Sequence, residues 1–342
     1  MTENGVVENK TTQLVGTVTA LSSIVHSEIL DEGQNPNVKP RRTETVVCQH
    51  NGESLTLRIP VVSGNGVRGL GRRLLFDHTF AQLGVTVGEL FPKQEVLARR
   101  VQTAFRAGGV TPAGMTAKAA APEKYKKLRD TIPMLGALGM VFHAHQFEGS
   151  SRVGFLRPYL RETASLFDPV FPLALTEKIE NEAPSYAEFM KDAHLQKIRY
   201  TRRSESGAIE DASGESDIGV EKEAMIYGSE YLPAGTILGT SSRITTDNEG
   251  ARLAFLAMYG LLSENGVVGG MSGRGHGFVS FELYEIEEDG DAKEFDASAA
   301  IANYDAYLAA HKEEIIDAIK TMPELFGYVS KAAKKAAKEA EK

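Results

Sequence analysis

The sequence predicts an α+β protein, not a doubly wound nucleotide-binding sheet, on three observations. TETVVCQ and SLTLRIPVV flank HNGE, whose Asn51-Gly52 is a strong hairpin signal. YLPAGTILGTSSRI, the apolar helical pattern of residues 251–262, the loop VVGGMSGRGHG and the alternating FVSFELYEI give strand, helix, glycine loop and strand in succession. The repeated strand–helix units that build a parallel nucleotide-binding sheet are missing.

Each element has its own local signal. Residues 14–25, LVGTVTALSSIV, are rich in β-branched side chains and read as a strand. HSEILDEGQNPNVKPRR carries Gly, Pro and Asn and reads as a long loop. After the hairpin comes VVSGNGVRGLGRRLL, in which Gly64, Gly66 and Gly69 spell G-x-G-x-x-G between a strand-like run and a helical pattern through Leu70, Leu74, Leu75 and Phe80. Residues 84–130 mix helical pieces with an alanine-rich stretch, and TIPMLGALGMVFHAHQFEGSSRVGFLRPYL leads into a strand. Residues 199–230 hold almost no large apolar side chains and read as an extended excursion, a hairpin ordered by contact. Thr246 with Glu249 forms a capping box for the next helix, and Asn265-Gly266 stops it. The tail from Ala297 is helical in pattern and ends in KAAKKAAKEAEK.

The totals narrow the function. No apolar stretch of the 342 residues approaches the ~20 needed to span a membrane, and the polar, acid-containing N-terminus is no signal peptide, so a cytoplasmic protein without a membrane partner is expected. The single cysteine, Cys48, rules out an internal disulfide and a cysteine-rich zinc site. The net charge of −8 is unevenly spread. Residues 41–129 carry 15 Lys or Arg against 6 Asp or Glu, whereas residues 281–317 carry 2 against 12. One basic and one acidic face follow.

Three chemistries compete for the glycine corner. A dinucleotide loop would use Gly64, Gly66 and Gly69, with Glu89 as the ribose-binding acid, but has no need for Arg68, Arg72 and Arg73 in the first turns of the helix. A solvated turn is the plain structural reading. A polymer's phosphates suit the corner in a third way: a helix N-terminus offers unpaired N–H groups, and Arg68 and Arg72, four apart, share a face. The second loop, GGMSGRGHG, sets Arg274 and His276 among glycines in the same manner. His143 and His145 would share one side of a strand, but lack a third ligand, so no metal is expected. No nucleophile motif appears, Cys48 has no catalytic neighbours, and Asp31 is the one carboxylate in an interesting loop position. No cofactor is expected.

The order of these pieces resembles the repeat-associated RAMP superfamily, the backbone subunits of multi-subunit CRISPR–Cas effector complexes. IPVVSGNGVRGLGRRLL is similar to that superfamily's I-P-G-S-S-[small/apolar]-[Lys/Arg]-G-x-x-R motif. The first strand with VTALSSIVH, then IPMLGALG, EYLPAGTIL and GGMSGRGHGFVSFELYE resemble its further elements, in its order, across most of residues 14–286. The resemblance implies an RRM-like (ferredoxin-like) antiparallel core with inserted helical segments and a protruding thumb hairpin. It divides the chain into a palm at 14–286, with a helical or finger insertion near 84–198 and a thumb near 199–230, and an acidic linker with helical tail at 287–342.

It also implies a CRISPR RNA-binding backbone that oligomerises head-to-tail along the guide RNA. Such a subunit joins other effector subunits and presents the guide for pairing with target DNA or RNA. Ser63, Gly64, Asn65 and Arg68 carry over by motif as guide contacts, extended to Gly66, Arg72 and Arg73. His26, Arg41, Arg42, Gly270, Ser272, Arg274 and His276 complete the expected RNA-facing set, with Arg199, Tyr200, Arg202 and Arg203 at the thumb base. Target-cleaving members carry an aspartate in a first-loop segment resembling Asp-Asn-Pro. Here the segment is GQNPN, with Gln34 ahead of Asn35-Pro36, so a non-cleaving subunit is expected, and an RNase acting through Asp31 is the alternative. The Ser-Gly-Asn-Gly form and the chain length incline toward the type IV subunit, with type I-D second.

Overall fold

Residues 10–20, KTTQLVGTVTA, are β-branched along most of their length, and the strand they form is buried on both faces at the centre of the molecule. The computed structural model describes residues 9–28, 38–110, 116, 118–167, 170–194, 197–201, 226–286 and 290–326. β1 (Lys10–Ala20) is followed by the short β2 (Val38–Lys39), the hairpin β3 (Thr43–His50) and β4 (Glu53–Pro60), and α1 (Gly64–Leu83). Then come α2 (Val87–Leu90), α3 (Glu95–Ala107), β5 (Lys118–Ala119), α4 (Pro122–Thr131), α5 (Pro133–Leu138) and the hairpin β6 (Gly139–Phe142) with β7 (His145–Glu148). β8 (Ser151–Arg152), β9 (Arg157–Pro158), α6 (Leu173–Glu180) and α7 (Tyr186–His194) lead to β10 (Lys197–Thr201) and β11 (Ile226–Glu230). The last third is β12 (Ile237–Thr246), α8 (Glu249–Asn265), β13 (Val279–Ile286), β14 (Ala292–Glu294), α9 (Ala297–Ala310) and α10 (Lys312–Leu325).

The central sheet runs β14-β13-β1-β12-β8, with β9 also on β12, and its pairs are antiparallel. Taken in chain order as first (β1), second (β8/β9), third (β12) and fourth (β13), the four core strands lie 4-1-3-2 in space. α1 falls between the first and second, and α8 between the third and fourth. This is the split βαββαβ arrangement, so the core is RRM-like. An antiparallel sheet of this order has no parallel βαβ crevice, which removes the dinucleotide reading.

The two faces of the sheet are buried differently. Leu14, Val18, Leu238, Ile244 and Leu283 pack with α1 and α8 in the main core. α1 and α8 approach so closely that a Cβ on Gly71 would lie 2.6 Å from the Met258 side chain. On the other face Val15, with Ile237, Tyr284 and Ile286 at its edge, is covered by Tyr159, Phe167, Phe171, Leu175 and Ile179. Each such aromatic contributes roughly 1.5–3 kcal/mol of burial. An RRM face that would otherwise be open is sealed along most of its length.

Several local expectations are met and others corrected. Asn51 (φ 50°) and Gly52 (φ 82°) form a hairpin turn with both residues left-handed, and α8 ends at left-handed Gly266. Thr246 is not the helix cap: it is the last residue of β12 and buried. The Asn248 side chain instead accepts from the Ala251 N–H at 2.6 Å. His143 and His145 do not share a strand face, because His143 (φ 47°) and Ala144 (φ 64°) make the turn between β6 and β7. Lys197–Thr201 and Ile226–Glu230 pair antiparallel as β10 and β11, and β11 also pairs in parallel with β2. No described helix is long and apolar enough to cross a membrane.

Candidate nucleic-acid interface

After β1 the chain continues as a connecting segment, 21–28, whose backbone bonds reach three distant parts of the sequence. The Leu21 N–H donates to the Phe278 carbonyl at 2.8 Å, and Ile24 exchanges two 2.9 Å bonds with Leu232. The Gly270 and Gly277 N–H groups donate to the carbonyls of Val25 (2.7 Å) and Ser23 (2.8 Å), and the Arg42 N–H to that of His26 (2.7 Å). The first strand's exit, the residue before the Pro-Ala-Gly-Thr element and the second glycine-rich corner are thereby tied to one short stretch of backbone, and the His26 side chain joins the first corner to it.

At the first corner Ser63 caps α1, its Oγ accepting from the Gly66 N–H at 3.2 Å. The Ser63 N–H donates to His26 Nε2 at 3.1 Å, and Ser63 Oγ lies 3.1 Å from the same nitrogen. Nε2 is therefore an acceptor and the ring is neutral, with its proton on Nδ1. Burial, and after it the Arg42 charge, holds the imidazole below its usual range. Gly64 is demanded by packing: a Cβ there would sit 2.3 Å from the Val153 carbonyl oxygen. Asn65, Gly66 and Arg73 are exposed, and the first turn of α1 contains no acid to oppose the helix dipole.

Arg68 and Arg72 do share a face, but it is not a free one. Arg72 is 7% exposed and donates to the carbonyls of Gly139 (2.7 Å) and Leu138 (2.9 Å), and Arg68 donates to the same Leu138 carbonyl. Those carbonyls are the orphan acceptors at the C-terminus of α5, so Arg72 is a buried helix cap and not a surface contact. Burial, then the Arg68 charge beside it, pushes the Arg72 guanidinium down to about 10, and it stays protonated at neutral pH. Arg68 remains half-buried, lowered by burial and by the neighbouring Arg152. Arg41, also expected at the surface, is 6% exposed beneath the bridge to Ser27.

Arg152 is the cation that sequence reasoning missed. It stands exposed on β8, directly across from the exposed Arg243 of β12. Like charges opposite one another disfavour the pair, while the Arg152 guanidinium donates to the carbonyls of Gly149 (3.0 Å) and Ser151 (3.1 Å). In the sequence Arg152 is an isolated charge in SSRVGF, and only the strand register reveals its neighbour.

The second corner is open. Gly270, Ser272, Gly273, Arg274 and Gly275 are exposed, and Met271 (φ 62°) and Gly277 (φ 84°) turn the loop back. A Cβ on Gly277 would lie 2.1 Å from the Val268 carbonyl oxygen, whereas Gly273 faces open space. His276 Nδ1 lies 2.7 Å from Ser23 Oγ, which anchors the loop to the connecting segment.

Of the remaining expectations, Arg199 and Tyr200 lie on β10 opposite Gly228 and Tyr227. Arg202, Arg203, Asp31 and Gln34 lie outside the described residues. Glu89 closes a capping box with Thr86, accepting from its N–H at 2.7 Å, and so serves α2, not a ribose. No cluster of His, Cys, Asp and Glu able to hold a metal occurs among the described residues.

No family model and no curated protein sequence matches the chain. Among solved structures it is similar to a chain of the Type IV-B CRISPR Complex at a TM-score of 0.44 and 20% identity, over 80% of this chain and 90% of that one. It is also similar to the crystal structure of Thermofilum pendens Csc2, at a TM-score of 0.36 and 12% identity, over 100% of this chain and 94% of that one.

Proposed function

We propose that the chain is a backbone subunit of a CRISPR effector complex that binds the guide RNA and presents it for pairing with target nucleic acid without cutting it. The observation that carries this reading is the joining of two glycine-rich, cationic corners on one connecting segment, the second by backbone bonds and the first through the His26 ring. Their exposed backbone and arginines suit a sugar–phosphate chain, held without base readout. Asn65, Gly66 and the half-buried Arg68 serve at the first corner, with Arg73 beside them, and Ser272 and Arg274 at the second. Arg152 and Arg243 extend the cationic line along the sheet edge. Arg41 and Arg72 support this surface from beneath. Arg199, Tyr200, Arg202 and Arg203 meet RNA or a neighbouring copy at the thumb. The acidic stretch 281–317 meets the basic face of the next copy, giving a head-to-tail filament.

Binding of this kind is sequence-tolerant and weakens as salt rises. The test is the RNA that co-purifies with the protein when a CRISPR array is co-expressed. Short RNAs with repeat-derived ends are expected, and Arg152→Glu with Arg274→Glu releases them. A bound dinucleotide with no RNA overturns the reading. Magnesium-dependent cleavage of complementary RNA, lost in Asp31→Ala, overturns the non-cleaving part alone.

A further inference from the structure

We infer that Leu21 and Phe278 form a stacking platform for one unpaired base beside the second glycine corner. The inference rests on the RNA-binding reading above and adds a contact to the base, which that reading does not contain. Leu21 and Phe278 are the residues next to Ala20 and Val279, the last pair of the β1–β13 ladder. The Leu21 N–H donates to the Phe278 carbonyl at 2.8 Å, and the Phe278 N–H donates to the side-chain Oγ of Ser22 at 2.9 Å. Ala20 and Val279 are buried toward the helices, so by alternation Leu21 and Phe278 point to the opposite face.

That face is sealed further along, where the aromatic cluster around Tyr159 and Phe167 covers Val15. At this end it is open: Leu21 is 62% and Phe278 45% exposed, with exposed Ser280 next along β13. Phe278 follows directly on the loop that carries Ser272 and Arg274, so a phosphate held there leaves its base within reach of the ring.

Size decides between a base and a protein partner. The exposed parts of the two side chains amount to roughly 200 Å², against about 800 Å² per partner in a stable protein interface. A flat patch of that size with a polar rim matches one planar base, and every base offers a π-face, so the contact tolerates any sequence.

The test uses the full chain and fluorescein-labelled oligouridylate, with an abasic oligomer of equal length as the partner probe. Phe278→Ala weakens oligouridylate binding by about tenfold or more, as loss of one stacked base does. Phe278→Trp retains the affinity, and both variants bind the abasic oligomer like the parent. The loss from Phe278→Ala persists at high salt, unlike that from Arg274→Ala. Unchanged oligouridylate affinity in Phe278→Ala overturns the platform and leaves the RNA reading standing. An equal loss on both oligomers, or a loss of self-association with RNA affinity intact, also overturns it, the latter by assigning the pair to a protein contact. Failure of the parent chain to bind either oligomer overturns the RNA reading and the platform together.

Discussion

The first glycine-rich corner sits on a helix and the second on a loop, and this difference decides what their arginines do. In the first, Gly64 and Gly71 are held by close contacts to the Val153 carbonyl and Met258, and Arg68 and Arg72 reach the C-terminal carbonyls of α5. In the second, Gly273 and Gly275 face open space and Arg274 is exposed. Two stretches of similar composition thus differ in packing: the first draws two of its arginines onto the frame, and the second presents its arginine at the surface. Glycine and arginine together do not indicate a binding loop until it is known whether orphan carbonyls lie within the arginine's reach.

Breaking this contrast at Arg72 gives the largest expected effect. Arg72→Ala removes two charge-assisted bonds and leaves a buried carbonyl unpaired, so urea unfolding shows a loss of ~1.5–3 kcal/mol, while RNA affinity of the folded protein barely changes. Gly64→Ala drives a methyl into the Val153 carbonyl and costs ~1–3 kcal/mol by the same measurement. The contrast sharpens with His26. Its folded imidazole resists protonation, so the unfolded chain binds the extra proton and stability falls as pH drops below the ordinary value of 6.5. His26→Gln flattens that part of the pH–stability curve. Arg152→Glu sets a carboxylate across from Arg243 but removes two bonds to backbone carbonyls, so thermal melts stay within ~1 kcal/mol of the parent while RNA binding weakens and its salt dependence becomes shallower. Gly273→Ala, at the open corner, stays within ~0.5 kcal/mol of the parent.

Features written in consecutive residues were legible. The Asn51-Gly52 turn, the helical spacing after Ser63 and the Gly266 stop are local, and the structure has all three. What needed register or tertiary packing was not. Arg72 carries the same short-range signal as an exposed helical arginine, and its burial depends on where α5 ends, some 66 residues later. Arg152 gains meaning from Arg243 across the sheet. Thr246 loses its capping role because β12 extends to include it, a tertiary preference that overrides a local motif. The cover on the second sheet face comes from Tyr159, Phe167 and Phe171, whose destination is set by tertiary packing and not by any local pattern.

The connecting segment has a consequence for biosynthesis. Its bond from Ser23 to His276 joins residues 253 apart, and β1 waits for β12 and β13 before either of its edges is paired. At ordinary translation speeds the N-terminal strand is finished tens of seconds before its partners leave the ribosome. Neither corner has its final shape during that interval, so a growing chain holds the cations of the proposed RNA-binding surface without the surface itself. On the proposed function, capture of RNA is thereby postponed until β12 and β13 have been made.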